Sequence, residues 1–306
     1  MKKLILLLPF LCCFNILSPG QNNMQDSTFQ AIGYWNVNEK ESYTVTLEKY
    51  KVQNGDTINR EFYKYDVDIT VTDSTADSYT IEWNYGNIEV KAYNELIEKL
   101  SKTSKISKAI IRTDEFGAFE ELVNWEEIRD EVKRLLTASM EEFSNIPNFD
   151  KLIEQTISMY STKESIENNI INEIQQFYSF HGGKYKFGEY ISTAMQIPNN
   201  YGGKPFDTAV DIWLDEMNPE DSNAVIRMTQ TVDQIQLMDA TYTYLSNMAA
   251  TLGTEIPKKE TLPVVSHQTY VTSIIHDTGW IIYSINDKII ESDNIQRVEQ
   301  QIIELK

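Results

Sequence analysis

Two adjacent runs of strict alternation constrain the fold more than any other feature of this sequence. In "YKYDVDITV", which starts at Tyr63, apolar or aromatic residues occupy every second position, and "SYTIEWNY", which starts at Ser78, repeats the pattern. Alternation with a period of two is typical of a strand that buries one face. The run from Tyr43 to Glu48 alternates in the same way, and Asn54-Gly55 is a strong hairpin signal. These runs predict an antiparallel meander with one apolar, aromatic face.

Helical periodicity follows the meander. A short helix is predicted from about residue 92, a hairpin over residues 108–122, and a longer helix that begins after Asn124 and ends at Pro147. A mostly helical connector is predicted up to residue 179, where Ser161 and Glu164 have the spacing of a capping box.

The same order of elements returns in the second half of the chain. Val67-Asp68-Ile69 corresponds to Val210-Asp211-Ile212, and each begins two alternating runs. A helix from Leu237, a hairpin and a final helix from Asp293 to Leu305 are then predicted. We therefore predict an α+β fold of two similar units, each an antiparallel curved sheet packed with helices, joined by a helical connector. The predicted boundaries are 1–20 for a signal peptide, 30–145 for the first unit, 146–179 for the connector and 180–306 for the second unit.

The N-terminal segment is typical of a secretory signal peptide. Lys2 and Lys3 precede an apolar run that is too short to span a membrane, and small residues follow it. We predict cleavage between Gly20 and Gln21, and hence a secreted or periplasmic protein with no transmembrane helix in the mature chain. The alternative is attachment to the cell envelope through a lipid on Cys12 or Cys13.

Charge and cysteine content exclude several classes of function. The chain carries 27 basic and 46 acidic side chains, a formal charge of −19, and removal of Lys2 and Lys3 makes the mature chain more negative. Nucleic acid is therefore not a predicted partner. Cys12 and Cys13 are the only two cysteines, so the mature chain would have no disulfide, thiol nucleophile or thiolate metal site.

One tripeptide matches a catalytic motif. Asp277-Thr278-Gly279 has the sequence of an aspartic protease loop, but by position it corresponds to the turn from Asp114 to Gly117. Aspartic proteases need two facing carboxylate loops, whereas Asp and Gly are also ordinary turn residues. We interpret the tripeptide as a hairpin turn.

No other pattern identifies a site. His181, His267 and His276 are the only histidines, and none has the spacing of a helical zinc site. Asp66, Asp68, Asp73 and Asp77 resemble a calcium loop only loosely, since the central Gly and terminal Glu of an EF-hand are missing. We predict no catalytic, cofactor-binding or metal-binding residue and no cofactor, and the ligand-binding residues are not identified.

Two stretches, "EKESYTVTLEKYKVQNGDTI" and "YDVDITVTDSTADSYTIEW", resemble secreted or periplasmic proteins of Bacteroidota for which no activity is established. The order of strands, helix, hairpin and helix is similar to the curved half-barrels of lipoprotein carrier proteins, a likeness of architecture that transfers no residue. Together with the aromatic strands, this favours an exported, non-catalytic protein that binds a hydrophobic small molecule, a lipid, a peptide or an envelope protein. The alternative is a hydrolase-like enzyme whose site carries no known motif.

Overall fold

A computed structural model describes residues 27–103, 106–143, 149–199, 203–252, 254–255 and 258–306. The predicted signal peptide, its cleavage site and Pro147 lie outside these residues. The strands are β1 (Thr28–Gln30), β2 (Lys40–Gln53), β3 (Asp56–Ser74), β4 (Ser78–Ala92), β5 (Lys108–Asp114), β6 (Phe119–Leu122), β7 (Lys184–Lys186), β8 (Tyr190–Ile197), β9 (Phe206–Asn218), β10 (Asn223–Val232), β11 (Val265–His276), β12 (Ile281–Ser292) and β13 (Ile295–Leu305). The α-helices are α1 (Glu95–Thr103), α2 (Trp125–Glu142), α3 (Phe149–Met159), α4 (Lys163–Asn169), α5 (Asn172–Tyr178) and α6 (Gln234–Leu252).

Eleven strands form one sheet, in the order β6-β5-β4-β3-β2-β13-β12-β11-β10-β9-β8, and the pairing is antiparallel throughout. The prediction of two separate sheet-and-helix units is therefore wrong. The first and last long strands, β2 and β13, pair along eleven residue positions and join both halves into a single sheet. Strands β1 and β7 form a separate two-stranded sheet.

The alternating runs form the strands predicted for them. Tyr43, Val67, Ile69 and Trp83 are fully buried or nearly so, and all lie on one face of β2, β3 and β4. Helix α5 packs against this face, and we call it the concave face. The predicted hairpin at Asn54-Gly55 is confirmed, with positive φ at both residues, as a type I′ turn requires.

The predicted connector is not a link between units. Helix α5 packs against the middle of the concave face, where the Phe177 ring lies 5.3 Å from the rings of Tyr43 and of Trp83. Ile166, Ile171 and Ile174 are also fully buried. The apolar stripe of the sequence is thus core rather than linker. Helix α4 has its capping box at Thr162 and Ser165, one residue later than predicted.

The final predicted helix is a strand. Residues Ile295–Leu305 form β13, which is hydrogen-bonded to β12 on one side and to β2 on the other. Hydrogen bonds to β12 and β2 supply the backbone partners that a helix would supply internally. Tertiary pairing therefore overrides the local helical preference.

The sheet is strongly curved at one end. Tyr79 of β4 and Trp280 at the start of β12 are separated by four interstrand steps, which would place them about 19 Å apart in a flat sheet. The Trp35 ring contacts both, with centroids 5.3 Å from each. We call this the closed end. The opposite end carries the hairpin tips at Asn54-Gly55 and Asp293-Asn294, and we call it the tip end.

Candidate functional site

The N-terminal segment and two hairpin turns fill the closed end. One turn runs from Asp114 to Gly117 and the other from Asp277 to Gly279. Gly33 donates its backbone N–H to the Phe116 carbonyl, and Tyr34 donates to the Thr278 carbonyl. Gly117 and Gly279 both have φ of 87°. The two turns therefore contact one N-terminal segment, and their glycines share the same φ.

The Asp277 loop is a turn between β11 and β12, as interpreted from the sequence. His276 donates its backbone N–H to the Trp280 carbonyl, and Gly279 donates to the His276 carbonyl. In the matching turn, one Asp114 carboxylate oxygen accepts from Phe116 and Ala118 N–H groups at 2.9 and 2.8 Å. The Asp114 side chain thus stabilises its own turn, which is the ordinary structural use of Asp there.

His276 does not form a catalytic relay with its neighbours. The Thr278 hydroxyl lies 2.8 Å and the Asp277 carboxylate 3.1 Å from the His276 ring, and both are at the same nitrogen, Nδ1. A hydrolytic triad needs the nucleophile on one ring nitrogen and the carboxylate on the other. This local arrangement is a turn contact.

His181 is buried beside Trp35 and contacts the Gly279 carbonyl through Nε2 at 2.7 Å. Burial lowers the pKa of His181 to about 4, although the Gly279 carbonyl acts in the opposite direction. The ring is neutral at pH 7, and because a carbonyl oxygen can only accept, Nε2 carries the hydrogen and donates a hydrogen bond to the Gly279 carbonyl. His181 therefore fastens the second turn to the core.

The middle of the concave face carries a buried carboxylate that sequence reasoning missed. Glu173 of α5 accepts a hydrogen bond from the Tyr85 hydroxyl at 2.7 Å and is only 7% exposed. Burial raises the pKa of Tyr65 and of Tyr85, and the nearby Glu173 charge raises each further. The hydroxyl bond anchors α5 to β4, but nothing in the sequence pattern marked it, because Glu173 lies within a helix rich in polar residues.

Towards the tip end, the concave face of β12 and β13 changes from apolar to amide and hydroxyl groups. Gln176 of α5 donates to the Ser284 hydroxyl at 3.0 Å and to the Gln301 carbonyl at 3.3 Å. Three further amide atoms are buried without a hydrogen-bond partner among the described residues, namely Gln176 Oε1, Asn286 Oδ1 and Gln301 Nε2. Buried amides normally find partners, so this layer has unused hydrogen-bonding capacity.

One step nearer the tip end, the concave face is charged. Lys49 and Lys288 both approach Glu299, at 2.9 and 3.7 Å. Burial acts to raise the pKa of Glu299, but the charges of Lys49 and Lys288 outweigh it and the net shift is downward. Lys51 lies opposite Arg297 in the next layer of the ladder. We refer to Lys49, Lys51, Lys288 and Arg297 as the basic cluster.

Helix α6 borders this region and leaves part of its apolar stripe uncovered. Leu237 is buried against Phe206 and Val232, and Met238 accepts the Val265 N–H of β11. The same helix face continues through three side chains that are 36 to 43% exposed, Tyr244, Leu245 and Met248. Among the described residues, the buried contacts of α6 with the sheet therefore lie in its first turns.

The remaining candidate sites are two clefts and the loose calcium pattern. A cleft of about 260 Å³ lies between α2 and α3, and one of about 470 Å³ lies on the convex face beside Phe62 and Tyr93. Among the described residues, no group of three or more His, Cys, Asp or Glu is placed to hold a metal ion. Asp66 and Asp68, from the loose calcium pattern, pair with Lys306 and Lys40, each at 2.8 Å.

In the part of the chain that the structure describes, no helix combines the length and apolarity needed to cross a membrane.

Comparison with known proteins gives no family. No protein-family model matches the chain, and no curated protein matches it. The resemblance to secreted proteins of Bacteroidota therefore stays a hypothesis.

Two solved structures show weak similarity. The first is lipovitellin, in a structure of its lipid–protein interactions, at 10% identity and a TM-score of 0.41, covering 89% of this chain and 25% of that one. The second is DynF from the dynemicin biosynthesis pathway of Micromonospora chersina, at 6% identity and a TM-score of 0.21, covering 90% of this chain and 84% of that one. This chain thus spans about a quarter of the lipovitellin chain. Both TM-scores lie below 0.5, and neither similarity identifies a family.

Proposed function

We propose that the chain is an exported, non-catalytic binding protein that holds a hydrophobic ligand at the tip end of the concave face, beside α6. The observation that carries the proposal is the stripe of α6, which is buried at Leu237 and exposed at Tyr244, Leu245 and Met248. An apolar helix face that packs at one end and is uncovered at the other is a candidate surface for an apolar ligand.

The neighbouring sheet supports the same proposal. Edge strand β8 exposes two apolar side chains, Ile191 and Met195, by 42 and 43%. They pair with Ile212 and Thr208 of β9 and so lie on the face that carries Phe206 and packs against α6. Asn286 Oδ1 and Gln301 Nε2, which have no hydrogen-bond partner in the described part of the chain, add one acceptor and one donor for a polar part of the ligand.

Fluorescence titration with the apolar probe N-phenyl-1-naphthylamine tests the proposal. Met248→Asp places a charge on the exposed stripe and is expected to weaken probe binding about tenfold, since burial of a Met side chain contributes roughly 1.5 to 3 kcal/mol. Ile235→Asp is the matched control, because Ile235 lies on the opposite side of α6 and is 73% exposed. Equal affinity in both variants, or no binding by the wild type, would contradict the proposal.

The hydrolase-like alternative has a separate test. Incubation with ester and peptide substrates should release product no faster than buffer alone does, and turnover that survives further purification would favour the enzyme.

Export is tested by N-terminal sequencing of the mature protein, which should begin at Gln21 or within a few residues of it. Recovery of a lipidated chain beginning at Cys12 or Cys13 would favour the anchored alternative instead.

A further inference from the structure

Two cations face each other across the ladder between β2 and β13. Lys51 lies directly opposite Arg297, two residues beyond the Lys49 and Glu299 pair, so all four side chains share the concave face. Like charges directly opposite one another are destabilising. Neither Lys51 nor Arg297 has a carboxylate partner among the described residues, although the chain as a whole has a charge of −19. The sheet of this acidic protein therefore carries a pair of cations, Lys51 and Arg297, that no carboxylate of the described residues neutralises.

The surrounding charges do not compensate for this pair. Lys49 and Lys288 share the single carboxylate of Glu299, and Glu61 lies opposite Lys49 in β3. The basic cluster therefore has four cations against two carboxylates. It is also accessible, because the side chains of Lys49 and Lys288 are 43 and 37% exposed and Arg297 is an exposed residue.

We propose that the basic cluster binds the oxyanion head group of an amphiphile, a carboxylate or a phosphate. This inference rests on the proposed function, and it assigns the charged end of the ligand whose apolar part lies beside α6. The Arg297 guanidinium can donate two parallel N–H hydrogen bonds to a carboxylate or phosphate, and Lys51 supplies a second charge from the opposite strand. Strand β11, which packs against α6, is the neighbour of β12, which carries Lys288. The basic cluster, which lies on β12, β13 and β2, thus begins one strand away from the surface that packs against α6.

Four probes that share a chain or a head group separate the possibilities: laurate, dodecyl phosphate, dodecanol and inorganic phosphate. Wild-type protein is expected to bind laurate and dodecyl phosphate about tenfold or more tightly than dodecanol, as charge-assisted hydrogen bonds to two cations imply. The double variant Lys51→Gln with Arg297→Gln should lose this preference and retain its affinity for dodecanol. A double variant of exposed convex-face lysines, Lys64→Gln with Lys91→Gln, should behave as wild type.

Each alternative result has a distinct meaning. Equal binding of laurate and dodecanol to wild type would overturn the head-group inference and leave the proposed function standing. No binding of any twelve-carbon probe would overturn the proposed function itself. Inorganic phosphate binding as tightly as dodecyl phosphate would show a site for a free oxyanion and overturn the assignment to an amphiphile. Thermal unfolding of the double variant, and of Lys51→Gln alone, verifies that both are folded before binding is compared.

Discussion

Gly279 lies so close to Ile32 that a Cβ atom at position 279 would approach the Ile32 carbonyl oxygen to 2.5 Å. This contact presses the second hairpin turn onto the N-terminal segment and helps to close the sheet. Gly55 has nearly the same φ, 88° against 87°, but apart from its own chain neighbours no atom of the described residues lies within 4 Å of its Cβ position. Substitution of Gly55 by a larger residue therefore measures the cost of the backbone conformation alone. The same substitution of Gly279 adds the cost of steric overlap.

Gly55→Ala is expected to destabilise the protein by about 1 to 2 kcal/mol, the cost of a left-handed backbone conformation for a residue with a Cβ. Gly279→Ala should cost at least about 2 kcal/mol more, because the Ile32 segment must move. Urea unfolding followed by tryptophan fluorescence measures both. Equal losses would mean that the closed end is not packed as described.

His181 predicts a specific pH dependence of stability. Its folded pKa of about 4 is below the ordinary value of 6.5, so below pH 6.5 the unfolded state takes up a proton that the folded state does not. Stability is fully present above pH 6.5 and falls as the pH decreases to about 4, by up to roughly 3 kcal/mol from this group. In His181→Gln, unfolding free energies at pH 7 and pH 4.5 should differ by less than in wild type. An unchanged difference would contradict the burial of a neutral ring.

The basic cluster predicts opposite effects for two lysines. Lys51→Gln removes one of two facing cations and should leave stability unchanged or raise it by about 0.2 to 1 kcal/mol. Lys49→Gln removes the closer partner of a partly buried Glu299 and should lower stability by about 1 kcal/mol. Chemical unfolding at low ionic strength compares them, and a larger loss for Lys51→Gln would indicate that Lys51 has a structural partner.

The turn interpretation of Asp277 leads to a further expectation. Asp277→Asn should change the free energy of unfolding by about 1 kcal/mol or less, since a single turn side chain is altered. It should leave peptidase assays at the level of the wild type. Appearance of a peptidase activity in wild type that Asp277→Asn abolishes would restore the protease interpretation.

The meander could be predicted from sequence because each strand signal is local. Alternation in β3 and β4 and the Asn54-Gly55 turn depend only on neighbours in the chain, and the structure confirms them. The joining of both halves could not be predicted in this way, since it depends on β2 pairing with β13, whose residues are some 250 positions apart. Hydrogen bonding between distant edges leaves no local pattern.

The error at β13 is connected with the candidate site. Ile295, Val298, Ile302 and Leu305 have the spacing of a helix face, although this segment forms a strand. In the strand, three successive concave positions of this segment are occupied by Arg297, Glu299 and Gln301, and these polar residues conceal the alternation. Arg297 and Gln301, which we propose to be part of the binding surface, are thus among the residues that obscure the strand pattern.

Native mass spectrometry of the protein purified under non-denaturing conditions from the cells that make it tests the central claim most directly. We expect a fraction of the chain to carry a bound amphiphile that is released on denaturation and detected as an anion. Replacement of Met248 by Asp should reduce the bound fraction, and replacement of Ile235 by Asp should not. A protein whose native mass equals that of the polypeptide alone, and which acquires no adduct when incubated with laurate, would contradict the account.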